Sequence, residues 1–181
     1  MSRDDANNLN IGNIIIGAGE LEVDGVNVGF TREGVKFSYE RTILEVEVDQ
    51  DTSPVKHKRT ASAMIVSTNL LEATLNNIKI VWGISGTTTS LGDGTTELKF
   101  GSESSCEGET EHELWFSGPG PDCKTRYVEI YKAYSMEAGE HTYTKAGEVV
   151  IPVVFKVLSD RTKPVGERFG RILDTEDDWI D

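Results

Sequence analysis

The sequence predicts a mainly β fold: two packed antiparallel sheets, as a sandwich or barrel, with one flanking α-helix. Three observations carry this. Eighteen glycines in 181 residues, with a hydrophobic fraction of 37%, favour many short strands and tight turns over a helical bundle. Apolar and polar residues alternate with period two in segment after segment. Only one segment has the 3.6-residue period of an amphipathic helix.

The elements follow in order. The polar segment to about Asn10 precedes a β-branched run, Ile14-Ile15-Ile16, and then Gly17-Ala18-Gly19. Glu20 to Phe30 reads as a hairpin. Leu21 and Val23 alternate on one arm and Val26 and Val28 on the other, about an Asp24-Gly25 turn. Val35, Phe37 and Tyr39 alternate with Lys36, Ser38 and Glu40, giving a strand with one wet face. From Ile43 to Asp49, Leu44, Val46 and Val48 lie on one face and Glu45, Glu47 and Asp49 on the other. That strand should be half buried and carry a row of three carboxylates. Thr60 to Val66 reads as its returning partner, so residues 43–66 form one long hairpin. Its tip, Gln50 to Arg59, holds Asp51 and Pro54 and ends on Lys56, His57, Lys58 and Arg59.

Asn69 with Glu72 resembles a capping box, and Leu71, Leu75 and Ile78 make an apolar stripe. A helix is expected over 69–82, stopped by Gly83. Gly86 to Gly94 reads as a mobile Gly/Thr/Ser loop. Glu97 to Phe100 and Glu113 to Phe116 read as strands, and Gly118-Pro119-Gly120-Pro121 as a turn. Thr125 to Met136 is a long strand, with Val128, Ile130 and Lys132 on one face and Tyr127, Glu129 and Tyr131 on the other. Val149 to Leu158 is the most apolar strand and starts at a sheet margin, because of Pro152. The acidic tail 174–181 either docks or stays loose. No repeat or second domain is visible, so residues 1–181 read as one domain.

Charge and chemistry exclude several functions. Thirty-one acidic residues against eighteen basic give a net charge of −13. That disfavours a basic nucleic-acid binder, whose affinity rests on Lys and Arg neutralising phosphates, and it disfavours an anionic membrane surface. No apolar run approaches the roughly 18 residues of a membrane span. The polar start lacks the apolar core of a signal peptide, so the chain is expected to be made and kept in the cytoplasm. Cys106 and Cys123 are expected as free thiols. With His112 they lack the close pairing of zinc ligands, so no metal and no cofactor is expected. His57, His112 and His141 read as solvated. Gly17-Ala18-Gly19 lacks the third glycine and the helix of a dinucleotide fingerprint. Glu45, Glu47 and Asp49 form an open row, in which nothing raises one carboxyl above its neighbours as acid catalysis requires. No catalytic constellation emerges, and a non-enzymatic role is expected.

The stretch from Ile16 to Thr31, then Gly34 to Glu40, then Leu44 to Gln50, is similar to the major tail tube proteins of long-tailed bacteriophages, and Val150 to Asp160 resembles their penultimate strand. The likeness of order runs from about Ile14 to about Ile172. It implies a structural virion protein that self-associates into six-membered rings stacked into a hollow tail tube. Tape measure and tail-tip or terminator proteins would be its partners. Double-stranded DNA would pass through without specific binding. Glu45, Glu47 and Asp49 would line the lumen, and the tip with Asp51, Pro54, Lys56, Lys58 and Arg59 would reach the neighbouring ring. The same fold serves the secreted ring protein of type VI secretion systems, whose lumen carries effectors. A β-sandwich binding or adhesin module is the third reading. It needs an exposed aromatic platform, which Trp82, Trp115 and Trp179, in three separate elements, do not suggest.

Overall fold

The computed structural model describes residues 11–101, 108–136, 139–145 and 147–176. Its strands are β1 (Glu20–Val23), β2 (Val26–Asn27), β3 (Thr31–Val46), β4 (Lys56–Leu70), β5 (Thr88–Gly92), β6 (Thr95–Leu98), β7 (His112–Pro119), β8 (Thr125–Ser135), β9 (Ile151–Val157) and β10 (Gly170–Thr175). One helix, α1 (Leu75–Val81), follows β4. The fold is mainly β and antiparallel, as the alternation predicts. Eight strands form one sheet in the order β2-β1-β7-β8-β9-β4-β3, with β10 also on β8, while β5 and β6 form a separate pair.

The large sheet curls over itself. Its two edge strands, β2 and β3, are separated by only three residues, 28–30, which limits the gap between them to about 14 Å. Phe37 of β3 meets Phe116 of β7 with ring centroids 5.3 Å apart. Four strand spacings separate these strands in the sheet, about 19 Å if it were flat. The closure buries alternate residues of most strands: Leu21 and Val23, Val66 and Leu70, Leu114, Val128 and Ile130, then Ile151, Val153 and Phe155. Side chains of this size each contribute roughly 1.5–3 kcal/mol when fully buried. The helix adds Ile78, Ile80 and Val81 to the same cluster.

Several elements depart from the sequence expectation. The segments 35–40 and 43–49 are not two strands but one, β3, which ends at Val46. Between Arg32 and Lys36 it holds two more residues than its partner β4. The Thr68 hydroxyl donates to the Gly34 carbonyl across this bulge, so pairing resumes and the hairpin extends over Thr31–Leu70 instead of 43–66. The helix starts at Leu75 and not at 69. Asn69 and Leu70 pair with Pro152 and Ile151 of β9, and this pairing overrides the capping-box pattern. Thr74 is the N-cap, its hydroxyl accepting from the Asn77 amide at 3.1 Å.

Gly83 ends the helix as expected, with φ +63°. Gly86 to Gly94 is not a loop: Thr favours strands, and β5 and β6 pair about Asp93-Gly94. The strand expected at 97–100 falls at Thr95–Leu98 within that pair. Lys132 does not share the buried face of Ile130. A bulge opposite His112–Leu114 shifts the alternation, and Ala133 takes the buried place. Of the tail, Asp174 and Thr175 complete β10 on β8. The expectations placed on residues 1–10, Cys106 and Trp179 lie outside the described residues.

Candidate assembly interface

The β3–β4 hairpin is built in two halves. β4 pairs with β9 only from Ile65 to Leu70. Towards its start, Lys56 to Met64 pairs with β3 alone, and β3 has no partner on its other edge among the described residues. This two-stranded ribbon extends about 30 Å past the sheet. Both of its faces are open to solvent from Glu40 to Ser62. The half-buried strand expected at 43–49 is therefore exposed on both sides: Leu44 keeps 55% and Val46 42% of its surface. Alternation predicts burial only where a second layer exists to bury against, and the described residues do not supply one here.

The register assigns the faces. Leu44 stands opposite Lys58 and Val46 opposite Lys56, so one face is apolar and basic. Glu45 stands opposite His57 and Ile43 opposite Arg59, on the other face. A one-residue bulge at Thr60, whose hydroxyl donates to the Thr42 carbonyl, separates this tip from the root. It lies in β4, so the alternation of β3 is unbroken. Glu45 thus continues the side of Phe37 and Tyr39, which faces the core at the root.

Of the three expected row residues, only Glu45 is a strand residue. Glu47 and Asp49 follow the end of β3. None of the three makes an ion pair among the described residues. The tip itself is 47–55, shorter than the 50–59 predicted. Asp51 shapes it, its carboxylate accepting from the Ser53 amide at 3.2 Å, and Pro54 lies within it. Lys56, Lys58 and Arg59 are ladder residues of β4 instead of tip residues. Arg59 donates to the Tyr39 hydroxyl at 3.2 Å.

Two features escaped the sequence reading. His112 is not solvated: it is 4% exposed, packs edge-on against Phe155, and holds Asp24 at 2.7 Å through Nδ1. Its place at the start of a strand that reads Glu-His-Glu-Leu gave no signal of burial. Trp82, Phe100, His141 and Tyr143 form an exposed aromatic cluster from residues up to 61 positions apart. Only the density of aromatic and His residues near 141–143 hints at it.

Among the described residues, no group of three or more His, Cys, Asp or Glu side chains is placed to hold a metal, and no helix is long and apolar enough to cross a membrane. Cys123 is an exposed free thiol. No family model matches the chain, and no curated protein matches it.

Proposed function

We propose that this chain is a non-enzymatic structural subunit that self-associates through the β3–β4 ribbon into rings and, by ring stacking, a tube. The exposed ribbon carries the reading. A two-stranded hairpin is marginal in water by itself. Here one projects about 30 Å with Ile43, Leu44, Val46, Val48 and Val55 open to solvent. An apolar edge of this length invites another chain to pair with it, unless the assembly covers it. Head-to-tail contacts that close by rotation make rings and leave no edge free.

The resemblance to phage tail tube proteins supplies the six-membered ring, the virion and the DNA cargo. If the apolar and basic face of the ribbon docks on a neighbour, the face of Glu45 is left free, and with Glu47 and Asp49 it can line the channel. Arg59 on that face is held by the Tyr39 hydroxyl, and the three carboxylates beside it repel DNA phosphates, so the genome slides without sticking.

Sedimentation velocity and negative-stain microscopy of the purified chain test the assembly. Tubes with a regular axial repeat are expected, isolated rings favour the secretion-system reading, and monomers alone exclude both. The lumen assignment has its own test. Glu45→Lys, Glu47→Lys and Asp49→Lys together should leave tubes intact and slow DNA ejection; unchanged ejection refutes it. The binding-module reading gains one observation, the exposed aromatic cluster. Two of its three ring contacts cross steeply, at 81° and 77°, and the third stacks His141 over Trp82. No row of coplanar open faces remains for a sugar.

A further inference from the structure

The aromatic cluster lies at the end of the molecule away from the ribbon tip. Trp82 closes α1, and its indole N–H donates to the Gly139 carbonyl at 3.0 Å. Gly139 in turn sits against Val81 and the carbonyl of Pro152. Pro152 stands opposite Asn69 of β4, thirteen residues along that strand from Lys56. The cluster and the basic face of the ribbon are thus about 40 Å apart on one continuous strand, and they cannot meet within one chain.

The two surfaces are complementary. Around Trp82, Phe100 is 70% exposed and Tyr143 72% exposed. Their neighbours include Glu140, which is exposed, and Glu109, whose carboxylate reaches Gly83. Of the other charges nearby, Lys99 pairs with Glu97 at 3.3 Å, and Lys145 is exposed. The ribbon offers Leu44 and Val46 between Lys56 and Lys58, and neither lysine has an ion-pair partner among the described residues. Apolar side chains cover ring faces, ammonium groups sit over aromatic rings, and the carboxylates take the remaining charge.

We infer that the apolar and basic face of the ribbon in one copy docks on the Trp82–Phe100–His141–Tyr143 cluster of the next. This rests on the self-assembly reading above and names the surface that receives the ribbon. Donor and acceptor are different surfaces at opposite ends, so the contact is heterologous, and it repeats along an axis where its rotation does not close a ring. It is a contact between rings made by one face of the ribbon, separate from the pairing of its open β3 edge that closes each ring.

Three variants test it, each first checked for folding by circular dichroism, then examined by sedimentation velocity and negative stain. Phe100→Ser with Tyr143→Ser changes two mostly exposed rings; it should fold and form single rings with loss of stacks. Lys56→Glu with Lys58→Glu should do the same. Adding Glu109→Lys and Glu140→Lys to that charge reversal should restore stacking. Stacks that persist in the variant lacking both aromatic rings, or charge reversal that the swap does not rescue, overturn the docking while wild-type tubes leave the assembly reading standing. A wild-type chain that remains monomeric sinks both.

Discussion

At the scale of single residues, the Asp24-Gly25 turn does more than reverse the chain. Both residues have positive φ, +54° and +75°, which a two-residue hairpin of the primed type requires. Asp24 then accepts from the Glu113 amide at 2.9 Å and holds buried His112 at 2.7 Å. Asp24→Ala strips a buried side chain of its hydrogen bond, so unfolding in urea should show a loss of about 1–3 kcal/mol. The turn was legible from Asp-Gly between alternating apolar residues. Its second role was not, because 88 positions separate His112 from Asp24 and nothing local marks the histidine as buried.

Two other carboxylates contribute to acid stability. The Thr162 amide and hydroxyl hold Asp160 below the usual carboxylate range, and the Arg126 side chain does so for Asp174. A carboxyl lowered on folding adds stability that is complete above its unfolded value, near pH 4, and lost as pH falls through its lowered folded value. The wild type should therefore lose stability as pH drops below about 4. Asp160→Asn with Asp174→Asn should melt earlier than wild type at pH 7, and the gap should narrow steadily as pH falls below about 4. A gap that stays constant throughout the acid range would rule these two groups out.

At the scale of elements, α1 shows how little local signal a short helix needs when its ends are fixed. Seven residues are too few for a stable isolated helix. Thr74 caps one end. At the other, the Gly83 amide reaches the Ile80 carbonyl and the Ile84 amide the Lys79 carbonyl, with Gly83 in the left-handed region. Buried Asn77 then ties the first turn to the β2–β3 link and to the β4–α1 link by donating to the carbonyls of Val28 and Glu72, both at 2.8 Å. Thr74→Ala and Gly83→Ala should each cost about 1 kcal/mol, lowering Tm by about 2–4 °C in thermal melts. Gly83 was readable as a stop because glycine adopts at no steric cost the left-handed backbone that ends a helix, and the apolar stripe runs out just before it. The true start was not readable. Asn69 and Glu72 satisfy the capping pattern, yet β9 claims Asn69 for the sheet, and a partner strand so far along the chain is invisible to local spacing. The β5–β6 pair was missed for a related reason: its strands are mostly exposed, so no apolar alternation announces them.

At the scale of the whole molecule, the core and the ribbon separate two demands, and they should be separable by experiment. Every fully buried large side chain lies outside the ribbon tip, from Leu21 to Phe155. Past Ala61 the ribbon contributes no buried residue to the chain's own fold. Its alternation marks a strand correctly and half burial incorrectly, because the sequence encodes a face to be covered without saying by which chain. Ile43 and Arg59 stand directly opposite each other, so residues 44–58 can be replaced by Asn-Gly, which closes antiparallel strands in two residues. This truncation removes Leu44, Val46, Lys56 and Lys58 together with Glu45, Glu47 and Asp49, and leaves the body intact. Its Tm should stay within about 2–4 °C of wild type, a change of no more than about 1 kcal/mol, while sedimentation shows monomers or single rings at concentrations where the full chain forms tubes. A large drop in Tm would mean that the ribbon stabilises the monomer, and tubes from the truncated chain would mean that assembly runs through another surface.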